Sequence, residues 1–461
     1  MKEFIVCSLL FLLVSCHNSD SLFVLLPSNK TQIKFQNKLT STTDLNILNY
    51  LYYYNGGGVA AADFNNDGFA DLYFTGNQTE DKLYLNIGGL EFKDITKQAL
   101  INNVTPWTTG VTTVDINNDG FLDIYICKIG MHNSIKGKNL LFVNQGPGKN
   151  GVPTFKEAAS FYGLDIASFA TQASFFDFDK DGDLDLFLIN HSLYPNSNYG
   201  KGAIRREVDQ MSGDKLFENK QGNFVDISSQ SGVFQGKIGY GLGLSVGDVT
   251  NDGYPDIYVG NDFFENDYLY INQKDKTFKE IISKDKSALG HTSHFSMGNA
   301  IADLNNDAQL DIVSLDMLPE NLKTYKTSGL EYPYQTYQYY LKNGYSPQFM
   351  QNTLHYNNGN GTFSEVAYLS GIAATEWSWS PIVGDYNNDG FKDLYITNGI
   401  LGATNDMDFI NFISNEAIQK QLATEKSQRN LELSKQIPQK KVKNYFYKNN
   451  QDKTFSDVTS T

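Results

Sequence analysis

The sequence is poor in cysteine. Only Cys7, Cys16 and Cys127 occur in 461 residues, and the first two lie in a leader-like N-terminal segment. Cys127 therefore has no partner in the remainder of the chain. Disulfide bonds, which stabilise many exported domains, are excluded as the source of stability here.

The sequence also lacks the short motifs of common enzyme classes. It contains no HExxH or glycine-rich phosphate loop, and its one GxSxG match, GLSVG (243–247), directly precedes an acidic loop. His291 and His294 form the only close histidine pair, and a zinc site would need a third ligand that the sequence does not indicate. We therefore interpret the pair as structural and expect no catalytic residues.

Positive charge is scarce as well. The chain has 37 lysines and arginines against 52 aspartates and glutamates, and its formal net charge is −15. Without a basic run, nucleic-acid binding is not expected. Twenty aspartates lie in six nine-residue segments, and without them the rest of the chain would carry +5. The negative charge is thus concentrated at a few sites.

Those six segments are copies of one acidic nonapeptide. They are DFNNDGFAD (63–71), DINNDGFLD (115–123), DFDKDGDLD (177–185), DVTNDGYPD (248–256), DLNNDAQLD (303–311) and DYNNDGFKD (385–393). Aspartate recurs at positions 1, 5 and 9, and position 3 is Asn, Asp or Thr. Glycine at position 6, replaced by Ala308 in the fifth copy, permits the positive φ of a sharp turn. Position 2 is always apolar, which predicts that each loop is anchored in a core.

This spacing predicts six calcium sites. Side chains at alternate positions converge with a backbone carbonyl at position 7, and Ca²⁺ prefers about six or seven such oxygen donors. The loop is not an EF-hand, because position 12 is Phe74 or Ile126 in the first two copies. Thr250 in the fourth copy offers only a hydroxyl. The predicted metal ligands are Asp63, Asn65, Asp67, Phe69, Asp71, Asp115, Asn117, Asp119, Phe121, Asp123, Asp177, Asp179, Asp181, Asp183, Asp185, Asp248, Thr250, Asp252, Tyr254, Asp256, Asp303, Asn305, Asp307, Gln309, Asp311, Asp385, Asn387, Asp389, Phe391 and Asp393.

A second recurring sequence segment follows each acidic loop. It reads as a hairpin of alternating apolar residues around an Asn/Gly/Asp turn, as in KLYLNIGGLEFKDIT (82–96). One repeat is therefore strand A, the acidic loop, strand B, a connection, strand C, a tight turn and strand D. Four antiparallel strands per repeat predict an all-β fold, a propeller with six blades and a helical insertion near the C-terminus. IKFQN (33–37) is predicted as an extra D-like strand, so seven-bladed closure, or closure by this strand, stays open.

The sequence of one repeat is similar to that of a known repeat family. The segment YGLGLSVGDVTNDGYPDIYVGND (240–262) resembles the FG-GAP repeat of integrin α-subunit propellers and of bacterial VCBS-type and cartilage-acidic-protein-type families. The similarity extends over roughly 33–458. It implies a calcium-bearing β-propeller without catalytic activity.

The N-terminus, MKEFIVCSLLFLLVSC, resembles the signal peptide and lipobox of a bacterial lipoprotein. We predict cleavage before Cys16 and acylation of its thiol. This gives a signal peptide over 1–15, a tether over 16–32 and the propeller over 33–461. An ordinary secretory signal with an incidental cysteine is the alternative. The expected location is the envelope, at the outer membrane of a gram-negative bacterium, where external calcium fills even weak sites.

Strand direction places the loops on two faces. The acidic loops and the C–D turns share a bottom face, and the B–C and D–A connections share a top face. The long insertions, 128–138, 191–213, 316–350 and 400–443, all fall in B–C connections. Because binding residues usually lie on loops held by a rigid scaffold, we predict the ligand site on the top face.

Two of these insertions have a distinctive composition. LEYPYQTYQYYLKNGYSP (330–347) is rich in tyrosine, and flat rings with polar edges suit both sugars and protein partners. The insertion 400–443 is predicted to be helical from a cap at Asn405 to about residue 436. Packing beneath a long loop is the alternative for both. The predicted ligand-binding residues are Tyr334, Tyr337, Tyr339, Tyr340 and Trp379.

An aromatic residue also precedes five of the acidic loops by eight positions. These residues are Trp107, Phe169, Tyr240, Phe295 and Trp377. They would form a ring of stacking platforms or pack between blades, and we favour packing.

The sequence thus predicts a non-catalytic, calcium-stabilised β-propeller lipoprotein of the bacterial cell envelope, with up to six structural Ca²⁺. It would bind a glycan or a protein partner through the top face. The alternative is a propeller enzyme, a polysaccharide hydrolase or lyase, with its site at the central channel. A structural assembly subunit is the third possibility.

Overall fold

The computed structural model describes residues 23–103, 107–194, 200–285, 287–329, 333–415 and 425–460. They form six sheets of four antiparallel strands, and each sheet has the order A, B, C, D. The predicted six-bladed, all-β propeller is therefore confirmed.

The strands of blades 1 to 3 follow the acidic repeats. In the order A to D they are β1 (Val59–Ala62), β2 (Asp71–Phe74), β3 (Lys82–Asn86) and β4 (Phe92–Asp94); β5 (Thr108–Val114), β6 (Asp123–Lys128), β9 (Leu140–Pro147) and β10 (Pro153–Glu157); and β11 (Ala170–Phe176), β12 (Asp185–Asn190), β13 (Lys215–Lys220) and β14 (Asn223–Asp226).

Blades 4 to 6 repeat this order. Their strands are β15 (Gly241–Gly247), β16 (Asp256–Asn261), β17 (Tyr268–Asn272) and β18 (Phe278–Glu280); β20 (Asn299–Ala302), β21 (Asp311–Ser314), β23 (Thr353–Asn357) and β24 (Phe363–Glu365); and β25 (Ser378–Gly384), β26 (Asp393–Asn398), β27 (Tyr445–Asn449) and β28 (Phe455–Asp457). Short two-stranded pairs lie in the connections: β7 (Met131–His132) with β8 (Ile135–Lys136), and β19 (Thr292–Ser293) with β22 (Gln348–Phe349).

In the described residues, helices lie in the connections between strands or ahead of the first blade. They are α1 (Ser28–Thr31), α2 (Ala159–Tyr162), α3 (Ser228–Ser231), α4 (Leu322–Thr327), α5 (Tyr334–Lys342), α6 (Ala367–Ser370), α7 (Met407–Ser414) and α8 (Lys426–Ser434), with 3₁₀ turns at Leu51–Tyr54 and Gly202–Arg206. No helix in the part of the chain that the structure describes is long and apolar enough to cross a membrane.

Apolar side chains fill the spaces between neighbouring blades. Five cores join blade 1 to 2, 2 to 3, 3 to 4, 4 to 5 and 5 to 6. The position 2 residue of each acidic loop contributes as predicted: Phe64 and Phe178 are fully buried, and only Tyr386 of the sixth loop is half-buried. Among the described residues, no comparable core joins blade 6 to blade 1.

The A strands lie innermost and line a central channel. From β1 to β25, each A strand contacts the next around the ring. Strands β25 and β1 contact each other less than any of these pairs do. Val59 on β1 and Ile382 on β25 are 60% and 46% exposed. A seam therefore separates the sixth blade from the first.

The N-terminal segment crosses this seam. Phe23 packs on Tyr386 and Phe446 of blade 6, with ring centroids 5.5 and 5.0 Å apart. Phe35 stacks on Phe74 of blade 1 at 5.1 Å. The predicted strand at 33–37 does not form, because this segment lies on the face of blade 1 instead of pairing with a strand edge. The described residues contain six four-stranded blades and no seventh, and closure by an N-terminal strand is wrong.

After crossing blade 1, the segment 45–54 enters the top of the channel. Leu45, Ile47, Tyr50, Tyr52 and Tyr53 are each at most 5% exposed. They pack in one cluster with apolar side chains from all four insertions. The top of the propeller is thus plugged by residues from outside the blades.

The aromatic residues before the acidic loops pack against this plug or between blades. Tyr50 and Tyr53 lie 5.3 and 5.5 Å from the ring of Trp107. Phe169, Tyr240 and Phe295 are 7%, 2% and 4% exposed, and Trp377 is half-buried. The preference for packing over a ring of exposed platforms agrees with this burial.

The insertions lie in the B–C connections, as predicted, and they interlock. Arg205, in the blade 3 insertion, donates from Nε to Oε1 of Glu265 in blade 4 at 2.7 Å. It also donates to the carbonyl of Gly344 in the blade 5 insertion at 3.2 Å. The side chains of both charged residues are almost completely buried.

The C-terminal insertion is helical but begins one residue later than predicted. Asp406 is the cap of α7, and its Oδ1 accepts the N–H of Phe409 at 3.0 Å. The carbonyl of Asn405, the predicted cap, instead accepts the N–H of Gly329 in the blade 5 insertion. Residues 416–424 of the predicted helix lie outside the described residues, and α8 follows them.

Candidate functional sites

All six acidic loops share one hydrogen-bond pattern. The position 1 carboxylate accepts the N–H groups of positions 5 and 6, and the position 5 carboxylate accepts the N–H of position 7. In the first loop these donors are Asp67, Gly68 and Phe69, at 3.1, 2.7 and 2.9 Å. The spacing of three aspartates therefore encodes the loop conformation itself.

Two loop positions require a left-handed backbone. Position 6 has φ between 67° at Ala308 and 98° at Gly182, which explains the glycine in five of the copies. Position 4 also has positive φ, for example 58° at Asn66 and 61° at Lys180. Asparagine, which fills position 4 in five copies, tolerates this conformation better than most residues. Position 4 was not singled out from the sequence.

The position 9 aspartate connects each loop to its blade. Its Oδ2 accepts the N–H of position 2, and its Oδ1 accepts the N–H of an asparagine in strand C. In the second loop, Asp123 accepts from Ile116 at 2.9 Å and from Asn144 at 2.7 Å. This aspartate is fully buried.

The strand C asparagine also joins neighbouring blades. Asn144 Nδ2 donates to the carbonyl of Phe64, in the acidic loop of the preceding blade, at 2.8 Å. Asn272, Asn357 and Asn449 make the same bond at 2.7 to 2.8 Å. Sequence reasoning missed this role, although Asn recurs at one position of strand C in LYLN, LFVN, LFEN, LYIN, LHYN and FYKN.

Burial raises the pKa of the position 9 carboxyls. The pKa rises to about 6 at Asp71, Asp123, Asp256 and Asp311, and to about 8 at Asp185. Backbone N–H donors oppose the rise, and the other carboxylates of the same loop add to it. A cation held among these carboxylates would offset their mutual repulsion.

The predicted ligands fit a hard divalent cation. In the third loop, carboxylate oxygens of Asp177, Asp179 and Asp185 lie within 4.8 Å of one another. The donors are oxygens throughout, which is the chemistry that Ca²⁺ selects. In this loop Lys276 Nζ, from the C–D turn of the next blade, lies 2.6 Å from Asp179 and 2.5 Å from Glu218. The lysine partly neutralises the loop with the most aspartates.

The predicted ligand-binding residues are not in one place. Tyr334, Tyr337 and Tyr340 line a groove of about 840 Å³ in the blade 5 insertion. Tyr339 is 52% exposed but does not line this groove. Trp379 lies on β25 and lines the central channel. We refer to the first cavity as the tyrosine groove.

The tyrosine groove lies on the top face. Its walls come from the blade 5 insertion and from D–A connections, the two kinds of loop opposite the acidic loops. Its aromatic residues are Tyr325, Tyr334, Tyr337, Tyr340, Tyr345, Phe349 and Tyr368. Tyr334 and Tyr368 are 71% and 67% exposed. Tyr340, at 5% exposure, stacks on Phe264 at 5.2 Å and forms part of the floor.

The histidine pair has structural contacts. His294 Nδ1 lies 3.0 Å from Gln348 Oε1, and the carbonyl of His291 accepts from His355 Nε2 at 2.8 Å. Burial lowers the pKa of His294 and His355 to about 4. These rings are therefore neutral near pH 7, consistent with a packing role.

Comparison with known proteins identifies the repeat. The FG-GAP-like repeat family matches residues 63–126, 248–314 and 344–396, which contain five of the six acidic loops. Cartilage acidic protein 1 of Homo sapiens is 32% identical over 136 residues, covering 29% of this chain and 20% of that protein. The Mus musculus protein is 30% identical over the same shares. The aligned part thus spans about a fifth of the length of these curated relatives.

Two solved structures are similar at low identity. An Agrocybe aegerita lectin, which recognises non-reducing terminal N-acetylglucosamine, aligns with a TM-score of 0.42 and 15% identity, over 86% of this chain and 78% of the lectin chain. The V. cholerae biofilm matrix protein Bap1 aligns with a TM-score of 0.32 and 12% identity, over 69% of this chain and 40% of that chain. From its own six sheets and the matched regions, the chain is a six-bladed β-propeller that contains FG-GAP-like repeats.

Proposed function

We propose that this chain is a non-catalytic, calcium-stabilised β-propeller lipoprotein of the bacterial cell envelope that binds a glycan or protein partner. The observation that carries the binding proposal is the tyrosine groove. It is open, about 840 Å³ in volume, and lined by aromatic side chains of which two are more than 60% exposed. Sites of this size and lining are typical of ligand-binding clefts.

Calcium would act on the opposite face. In each loop the carboxylates at positions 1, 5 and 9 and the oxygen at position 3 would hold the ion. The ion would supply charge compensation and a cross-link between the start of strand B and the end of strand A. The acidic loops would thereby fix the blades that support the top face. Since Cys127 is the only cysteine between residues 33 and 461, the metal would take the cross-linking role.

Membrane attachment rests on Cys16, which lies outside the described residues. The first described residue, Phe23, packs on blade 6. In the proposed mature protein only a short segment would separate the lipid from the propeller, so the binding face would be held close to the envelope surface.

The test is affinity electrophoresis of residues 17–461 through gels that contain single polysaccharides, with calcium present. A glycan ligand would retard the wild type, and Tyr337→Ala should abolish the retardation because this ring lines the groove. Tyr339→Ala is the matched control, since Tyr339 is on the same helix but outside the groove. Equal loss of retardation in both variants would contradict the assignment of the groove.

If no polysaccharide retards the protein, the same pair of positions tests a protein partner. A photo-cross-linking amino acid at position 337 should capture a defined envelope protein in the native host, and the same group at position 339 should not. Capture from neither position, together with no retardation, would refute the proposed binding role of the groove.

A further inference from the structure

The central channel contains a chamber that is separate from the tyrosine groove. A cavity of about 450 Å³ is lined by inner strands of the blades and roofed by Tyr50 and Tyr52 of the plug. A second cavity of about 290 Å³ adjoins it and shares Tyr52, Asn55 and Trp379 as lining residues. We call the two together the channel chamber. The larger volume is within the range of small-molecule sites, about 300–1,000 Å³.

Trp379 provides a fixed aromatic wall in this chamber. Its Nε1 donates to the carbonyl of Gly399 at 2.5 Å, which holds the indole in one orientation. The side chain is half-buried on β25 and lines both cavities. An oriented indole with a free surface is a good stacking partner for the apolar face of a ring that carries polar groups at its edge.

Two side-chain amides line the same cavity as Trp379. The side-chain amides of Asn55 and Gln172 are half-buried, line the larger cavity, and make no hydrogen bond with the described protein. These two amides offer hydrogen-bond donors and acceptors to an occupant of the cavity.

Formal charge is nearly absent from the chamber walls. His191, with one ring nitrogen 3.3 Å from Tyr50 Oη, is the only ionisable side chain besides tyrosine among the residues lining the larger cavity, and Asp262 lines the smaller one. Neither cavity is lined by lysine or arginine in the described part of the chain. An anionic ligand would therefore have no counter-charge.

From these observations we infer that the channel chamber binds one neutral sugar ring, either a free monosaccharide or the terminal residue of a glycan. The indole of Trp379 would stack on the ring, and the amides of Asn55 and Gln172 would bond to its hydroxyl groups. This site is independent of the tyrosine groove and does not need the groove to be functional.

Two exposed residues from blades 1 and 6 line the chamber. Val59 and Ile382 line the larger cavity and are 60% and 46% exposed. The plug closes the top of the channel, so the ligand would enter past these two exposed residues. A terminal residue could enter while the rest of the glycan remained outside.

Saturation-transfer NMR and calorimetric titration of residues 17–461 test the inference. The probes are the methyl glycosides of glucose, galactose, mannose and N-acetylglucosamine, an oligosaccharide ending in the residue that binds best, and methyl glucuronide as the anionic control. We expect binding of at least one neutral glycoside and none of the glucuronide. Tighter binding of the oligosaccharide than of its methyl glycoside would indicate a glycan terminus, and equal binding a free monosaccharide.

Variants locate the site. Trp379→Ala should weaken binding about tenfold or more, and Trp379→Phe should restore part of it, because a ring surface returns. Gln172→Ala should weaken binding by roughly three- to tenfold, the effect of losing one hydrogen bond. Tyr337→Ala, in the tyrosine groove, should leave the affinity for the glycoside unchanged, which separates this site from the one proposed above.

Two results would overturn the inference. If the wild-type protein, folded by circular dichroism, binds none of the neutral glycosides at 10 mM, the chamber holds only water. If a glycoside binds with the same affinity to Trp379→Phe, Gln172→Ala and wild type but not to Tyr337→Ala, the sugar site is the tyrosine groove instead.

Discussion

The acidic loops allow a prediction that separates metal binding from hydrogen bonding. Asp119, at position 5 of the second loop, is exposed, and among backbone donors it accepts only the N–H of Phe121 at 2.9 Å. Asp123, at position 9, is fully buried and accepts the N–H groups of Ile116 and Asn144. Both carboxylates are predicted calcium ligands, but only the second also holds the blade together.

The expected changes in the free energy of unfolding follow from these two environments. Asp123→Ala leaves two buried N–H groups without an acceptor, at about 1–3 kcal/mol each, so we expect a loss of about 2–6 kcal/mol in the free energy of unfolding. This loss should appear with or without calcium. Asp119→Ala leaves no buried donor unpaired. It should cost only the linkage free energy of one site, about 2.7 kcal/mol at free calcium 100 times Kd.

Equilibrium urea unfolding in calcium and in excess EDTA measures both effects. In EDTA, Asp119→Ala should be nearly as stable as wild type or slightly more stable, because Asp119 repels the carboxylate of Asp123. In calcium, it should be less stable than wild type. Equal destabilisation of Asp119→Ala in the two buffers would refute the metal site. Destabilisation of Asp123→Ala only in calcium would refute the hydrogen-bond role of position 9.

Two further predictions concern pH and the membrane anchor. Burial lowers the pKa of His355 to about 4 from an unfolded value near 6.5, so the unfolded chain takes up the proton first. His355 therefore makes the free energy of unfolding fall with decreasing pH, by about 1.6 kcal/mol between pH 6.5 and 5. His355→Gln should remove this part of the slope in urea unfolding at several pH values, and an unchanged slope would contradict the assignment. For the anchor, Cys16→Ser should abolish labelling by radioactive palmitate and release the protein from the membrane fraction, whereas Cys127→Ser should change neither; persistent labelling of Cys16→Ser would rule out the lipid at this residue.

The repeats could be predicted from the sequence because their information is local. Three aspartates at positions 1, 5 and 9 hydrogen-bond to N–H groups within the same nine residues, and glycine at position 6 permits the turn. Strand alternation and the Asn/Gly/Asp turns define hairpins by the same short-range rules. The six four-stranded repeats, their strand order and the placement of insertions in B–C connections followed from counting these local units, whereas closure of the ring with six blades did not.

Features that depend on contacts distant in the chain were missed or wrong. IKFQN has the alternation of a strand, but Phe35 finds its partner in Phe74 on the face of blade 1, so no strand forms. The recurring strand C asparagine was visible in the sequence. Its role required knowing that Asn144 and Phe64, 80 residues apart, meet at a blade boundary.

The candidate binding residues also show the difference between what is encoded locally and what depends on distant contacts. The sequence by itself determined a top face with a tyrosine-rich insertion and a bottom face of acidic loops, because strand direction and loop length are encoded locally. Only the tertiary structure decided that Tyr337 lines a groove, that Tyr339 points away from it, and that Trp379 lies in the channel. Neighbours on a helix separate onto different surfaces once the helix packs, and residues from six blades meet only when the ring forms.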